Sequence, residues 1–400
     1  MTLSTSTSTR VEPLGRAARA LWGLDEDLVF LNHGSFGAVP LELLERASSL
    51  RRELERNPVD GVWRSAVPGL RRVAAFVAAF VGSDPACTGF VVNATAGINA
   101  VLGSLALAPG DEVLHLDHGY NAIWQTLREL ARRRGIVPVR VPLALPVGDP
   151  NALVEAFMAA ATARTKLIVL DQITSPTALV LPSAALVAAA AARGIEVVID
   201  GAHAPGMLER PAAESPALAW TGNLHKWPCA LRGCAVLSVR EDMAARVHPP
   251  VISHFLDEGF SAEFDWQGTV DPTPWLLAGE AIAFMDRFGG WPIVRARNHD
   301  LATRMHAMLC ARLGVEPISP LDGSWLGSMA TVRLPEPLQP RPGAPTPEQV
   351  QAKLLERARI ELPILDFAGV RYLRISCHVY NEAAEYEPLA DAVLELAARA

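Results

Sequence analysis

The chain has 400 residues, half of them hydrophobic and a fifth charged, proportions near the globular average that exclude wholesale disorder. This length spans two to three domains and suffices to bury a sizeable core. A net charge of −7 excludes the basic surface that nucleic-acid binding needs. Five scattered cysteines and the absence of an apolar stretch behind a basic start point to a reducing, cytoplasmic setting. The longest apolar run, 178–192, contains Pro182 and Ser183 and is too short to span a bilayer, so no membrane partner is expected.

In chain order, residues 1–12 alternate Ser and Thr and read as an unstructured tail. This tail leads into an arm that ends at residue 24, with a short helix over 16–22. A short strand follows at 29–31. From residue 88 strands and helices alternate: strand 89–92, helix 95–107, strand 112–116, helix 121–134, strand 136–141, helix 151–161, strand 166–170, helix 182–193 and strand 196–199. Unbroken Val, Ile and Leu runs between helices of this length predict parallel strands buried on both faces. The expected fold class is α/β, a large domain over 25–285 whose mostly parallel sheet is wrapped by helices. Beyond it come a helix at 295–313, a strand at 329–334, a proline-rich loop at 338–347, a helix at 348–359, a strand at 372–376 and a helix at 382–398. That mixture predicts a smaller α+β domain over 286–400.

Ligands of such sheets sit outside the carboxyl ends of the strands. The chain has no GxGxxG after its first strand, no GxxxxGK[ST], no HExxH and no GxSxG, which argues against a nicotinamide enzyme. His115 and His118 stand three apart but lack a third ligand at metal-site spacing, so a polar strand-end loop is expected there and no metal.

Only three of the 36 basic residues are lysines, leaving 33 arginines. Lys166 reads as a solvated strand entry and Lys353 as part of a polar helix face. Lys226 lies in the loop Thr221-Gly-Asn-Leu-His-Lys-Trp227, which follows the strand-end loop Asp200-Gly-Ala-His203. Asn93-Ala-Thr95 turns a strand into a helix, whose unsatisfied N–H groups and dipole favour a phosphate. A phosphate site, an amine and a carboxylate are together what pyridoxal 5'-phosphate requires. Each alone is an ordinary cap, turn or surface residue; their joint occurrence carries the reading.

The segments LNHGSFGAVP (31–40), NATAGIN (93–99), VIDGAHAPG (198–206), HKW (225–227), QGTVDPTPW (267–275) and LRIS (373–376) resemble, in order and spacing, the class V aminotransferase family of fold-type-I pyridoxal-phosphate enzymes. Within it they are most similar to the isopenicillin N epimerase group. The resemblance implies that Lys226 forms the covalent bond to the cofactor aldehyde and acts as acid and base at the substrate α-carbon. Asp200 would pair with the pyridine nitrogen, with His203 and Ser175 near the phenolic oxygen and Tyr120 stacked on the ring face opposite the lysine. Ala94, Thr95, Asn223 and His225 would hold the phosphate. Thr269 would reach the phosphate of a neighbouring subunit, which implies a homodimer. Arg374 would take the carboxylate of an amino-acid substrate as a bidentate fork, helped by Asn32.

The reaction implied first is epimerisation, with Tyr120 or His33 as a second base. Elimination with C–S cleavage, which needs one lysine, and transamination are the alternatives. Persulfide chemistry is disfavoured, because Cys310 and Cys377 lie in regular elements and Cys229 and Cys234 read as small core residues. A non-catalytic relative would lack Lys226 or Asp200, and both are present.

Overall fold

The computed structural model describes residues 11–399, so most of the expected tail lies outside the described residues. Strands β1 (Thr88–Val91), β2 (Glu112–Leu116), β3 (Val137–Val141), β4 (Thr165–Asp171), β5 (Glu196–Asp200), β6 (Ala219–Asn223) and β7 (Ala235–Val239) form one seven-stranded sheet in the order β1-β7-β6-β5-β4-β2-β3. Strand β7 runs antiparallel to both neighbours, and the other pairings are parallel. Every residue of β2, β6 and β7 is buried, as expected where helices cover both faces. Lys166 and Lys353 are exposed.

In the large domain, two strands and two long helices go beyond the expected elements. The sequences AWTGN of β6 and AVLSV of β7 form an antiparallel return around the 225–234 turn. Helices Leu41–Glu55 and Ala66–Val81 precede the sheet, the second burying Leu70, Ala74, Val77, Ala78 and Val81 at helical spacing.

The C-terminal part builds a three-stranded antiparallel sheet, β9-β10-β8, from β8 (Met329–Arg333), β9 (Ile364–Phe367) and β10 (Val370–Ser376). Its core gathers residues from Leu301 to Leu396 and also Leu31. Helix Trp291–Leu313 serves both cores, Trp291 and Val294 in the large one and Leu301 to Leu313 in the small one. The arm is packed rather than free over its described residues. After a 3-10 helix at Gly15–Leu21, Trp22 is buried against Phe284, Phe288 and Tyr380, with ring centroids 5.5, 6.1 and 5.0 Å away. None of the described helices is long and apolar enough to cross a membrane.

Candidate active site

A cavity of about 350 Å³ opens at the carboxyl edge of the large sheet. Asp171 ends β4 and Asp200 ends β5, directly paired in register, with Thr221 of β6 alongside. The parallel register therefore sets two carboxyl groups side by side on one wall, both buried. Asp200 Oδ1 accepts the Ala202 N–H at 2.9 Å and Asp171 Oδ1 the Tyr120 N–H at 3.1 Å, while Asp171 Oδ2 has no partner. Burial, then the neighbouring Asp200 charge, pushes the Asp171 carboxyl well up. Burial also raises Asp200, but the Ala202 N–H and the Lys226 charge pull it back. Of the pair, Asp171 is thus pushed up further than Asp200, which the Ala202 N–H and Lys226 hold closer to its ordinary range.

Lys226 projects from the turn after β6, its Nζ 3.0 Å from His203 Nε2. Burial, then the Arg374 charge, lowers its amine from 10.5 to about 7, against the pull of Asp200 and Asp171. A substantial fraction is therefore the neutral nucleophile near neutral pH. His203 is pushed well down by burial and by Lys226, and its Nδ1 is buried without a partner. The lysine turn is fixed by a close backbone approach: a Cβ on Gly37, whose φ is +69°, would lie 2.1 Å from the His225 carbonyl oxygen.

At the opposite corner the helix Ala94–Ser104 begins. Asn93 caps it, its Oδ1 accepting the Ala96 N–H at 2.8 Å, while its C=O accepts the Gly97 N–H at 3.2 Å. The Ala94 N–H, expected to hold a phosphate, instead donates to Asn223 Oδ1 at 2.8 Å. Ala94 thus acts through Asn223, whose Nδ2 is left as the donor toward the cavity. Thr95 keeps its backbone N–H. His225 donates from Nδ1 to the Cys234 carbonyl at 2.9 Å, and burial lowers its pKa to about 4.

Ala94, Thr95, Tyr120, Ser175, Asp200, His203, Asn223, His225 and Lys226 all line the cavity. Arg374, on β10, stands one layer behind, donating to the Ser175 carbonyl at 2.5 Å, Ser175 Oγ at 3.2 Å and Ser35 Oγ at 3.1 Å. Its guanidinium meets no carboxylate among the described residues, and its buried Nε has no partner. Asn32 sits a further step out: its Oδ1 accepts the Ser35 hydroxyl at 2.5 Å and its Nδ2 donates to Glu361 at 3.2 Å. Thr269 is exposed and outside the cavity of its own chain.

His33 does not join this wall. It is fully buried, donates from Nε2 to the Lys226 carbonyl at 2.9 Å and accepts the Tyr380 hydroxyl at Nδ1, 2.6 Å away. In the short helix His33–Phe36 the side chain two positions from Ser35 points the other way, so His33 props the lysine backbone instead of facing a substrate. His33, Cys229 and His378 come within metal-binding reach of one another. Both Nε2 atoms, however, donate to backbone carbonyls of residues 226 and 227, which leaves no lone pair there for an ion. His115 and His118 likewise bond to Val169, Thr177 and Leu143 inside the fold.

Sequence reasoning missed several cavity residues, among them Asp171, Arg232, Ser35 and Phe36. Of these, Asp171 carried a legible signal, a carboxylate at the carboxyl end of a buried strand; the other three carried none. A phosphate-bearing pyridine aldehyde suits this set, since Asp200 and Lys226 offer an ionised carboxylate and a near-neutral amine in one buried cavity.

Residues 52–340 match the model of the family described as Aminotransferase class-V. Isopenicillin N epimerase of Amycolatopsis lactamdurans is 33% identical over 398 residues, covering 95% of this chain and 98% of that protein. L-cysteine desulfhydrase of Arabidopsis thaliana is 27% identical over 403 residues, covering 92% and 87%. Among solved structures, a mutant of C-DES with glycine covalently linked to its PLP cofactor superposes with a TM-score of 0.79 at 19% identity, covering 94% and 98%.

Proposed function

Because the chain belongs to the class-V aminotransferase family and is a pyridoxal-phosphate enzyme, we propose that it cleaves the Cβ–S bond of a small, cysteine-type α-amino acid. The products are hydrogen sulfide, pyruvate and ammonia, with one water consumed. The carrying observation is that the proton-handling groups form a single cluster, Lys226 Nζ and His203 Nε2 at 3.0 Å, while His33 is sealed behind the lysine backbone. Elimination needs one base at Cα; epimerisation needs a second that returns the proton from the other face.

When bound, pyridoxal phosphate supplies a sink for the electron pair left at Cα. Lys226 takes the Cα proton. Asp200 would pair with the ring nitrogen of the bound cofactor, and Asp171, its carboxyl pushed up by burial, holds the Tyr120 backbone by accepting its N–H. Arg374, a buried guanidinium without an acid partner, draws in the substrate carboxylate through the Ser35 and Ser175 side. Thr269 and the exposed rim residues Phe36 (70%) and Val92 (47%) suit a homodimer in which a second copy completes the phosphate site and covers the rim. The five free, buried thiols suit a reducing compartment such as the cytoplasm.

A second reading, epimerisation, is favoured by one observation: Tyr120 lines the cavity and is 44% exposed, free to move a proton on the face opposite Lys226. The test is L-cysteine with holoenzyme in deuterated water. Sulfide and pyruvate in equal amounts, retained in Tyr120→Phe, are expected. Cα deuteration with inversion and no sulfide, abolished in Tyr120→Phe, would replace elimination by epimerisation.

A further inference from the structure

We propose that Arg232 is the principal cationic ligand of the cofactor phosphate in this chain. It follows from which donors the fold has already used. Of the N–H groups of residues 94–97 at the start of helix Ala94–Ser104, three are taken: Ala94 by Asn223 Oδ1, Ala96 by Asn93 Oδ1 and Gly97 by the Asn93 carbonyl. Within these four, Thr95 is the one that offers a free backbone donor. His225 has its one proton on Nδ1, committed to the Cys234 carbonyl, so its Nε2 presents a lone pair, and burial keeps the ring neutral. A neutral imidazole acceptor does not stabilise a dianion.

The corner lacks a full positive charge until Arg232 is counted. Arg232 lines the same cavity as Gly233, His225 and Asn93. It is exposed and makes no ion pair or hydrogen bond with any described residue, although the chain pairs most of its surface arginines. The backbone beneath it is fixed: the Gly233 carbonyl accepts Trp275 Nε1–H at 2.9 Å, and the Cys234 carbonyl accepts the Leu224 and His225 N–H groups at 3.0 and 3.1 Å. The guanidinium therefore projects from a rigid turn, needs no existing bond broken to reach an anion, and offers the fork that matches phosphate oxygens.

The experiment strips the full-length holoenzyme of cofactor and titrates it back with pyridoxal phosphate or with pyridoxal, which lacks the phosphate. Binding is followed by the near-visible absorbance of the bound cofactor, in wild type, Arg232→Gln and Arg232→Lys. Expected is a rise in Kd for pyridoxal phosphate of about tenfold or more in Arg232→Gln, the loss of one charge-assisted hydrogen-bonding group. Pyridoxal affinity should stay within about twofold, and Arg232→Lys should recover part of the loss. Inorganic phosphate should compete for the wild-type site more strongly than for Arg232→Gln. An unchanged Kd for pyridoxal phosphate overturns the proposal. So does an equal loss for pyridoxal, which means damage to the pocket, or a rise confined to the KM of the amino acid, which assigns Arg232 to a distal anion of the substrate.

Discussion

Replacing Lys226 by Met removes a buried amine whose proton the fold rejects. Its pKa falls from 10.5 to about 7, roughly 5 kcal/mol of preference for the neutral form at 1.36 kcal/mol per unit. Between these pH values the unfolded chain binds a proton there that the folded chain does not, so folding stability rises with pH. Below about 7 both states are protonated and the full cost is present. The cofactor-free wild type should therefore gain up to roughly 1.4 kcal/mol per pH unit relative to Lys226→Met, or about 2.3 kcal/mol between about pH 7 and pH 9. Urea denaturation of the two cofactor-free chains at several pH values measures the gap. The scarcity of lysines permits a direct check, since reductive ¹³C-methylation labels only Lys166, Lys226 and Lys353 besides the amino terminus. One dimethyl-lysine resonance should titrate near neutrality, and Lys226→Met should erase it. Parallel stability curves, or the absence of any resonance that titrates near neutrality, would refute the reasoning.

Two further substitutions test other walls of the cavity. Arg374→Gln should raise the KM for an amino-acid substrate by about 10- to 100-fold, the worth of hydrogen bonds to a charged group, while the absorbance and affinity of bound pyridoxal phosphate stay unchanged in titration. Gly37→Ala places a methyl 2.1 Å from the His225 carbonyl at a φ of +69°; it should lower the thermal midpoint and weaken cofactor binding together, whereas Ala at exposed Gly103, which has no neighbour within 4 Å, should leave cofactor binding unchanged.

The large sheet was legible because its strands are runs of β-branched residues separated by amphipathic helices. The β2 strand and the helix Asn121–Arg134 fall on the expected residues. Strand β6 was hidden because AWTGN mixes Gly and Asn into a buried strand, positions explained by the return turn that carries Lys226. The site residues in polar loops among apolar strands, Asp200, His203 and Lys226, stood out for the same reason: a polar group there is costly unless it is used. His33 misled because adjacency in the segment LNHGSFG does not reveal which side of one helical turn faces the cavity. Asp171 escaped because its meaning lies in the register that sets it against Asp200, a relation between segments 29 residues apart in the chain.

Charge balance ties the walls together. Around the cavity stand two carboxyls raised by burial, Asp171 more than Asp200, the Arg374 and Arg232 guanidinium groups and a Lys226 amine lowered to about 7. A bound cofactor and amino acid bring about two negative charges on phosphate, one on the substrate carboxylate and one positive on the ring nitrogen. Were Asp171 also ionised, or Arg232 absent, the loaded site would hold an additional unmatched negative charge. In a partly desolvated pocket such a charge is unfavourable by several kcal/mol. The raised carboxyl of Asp171 and the unpaired guanidinium of Arg232 are therefore two answers to one electrostatic requirement. Removing either should shift the other's behaviour: Arg232→Gln should raise the pKa of the buried carboxyl pair further once phosphate is bound, which Fourier-transform infrared difference spectra of the protonated carboxyl band measure. An unmoved band would break this link while leaving the role of each residue to its own test.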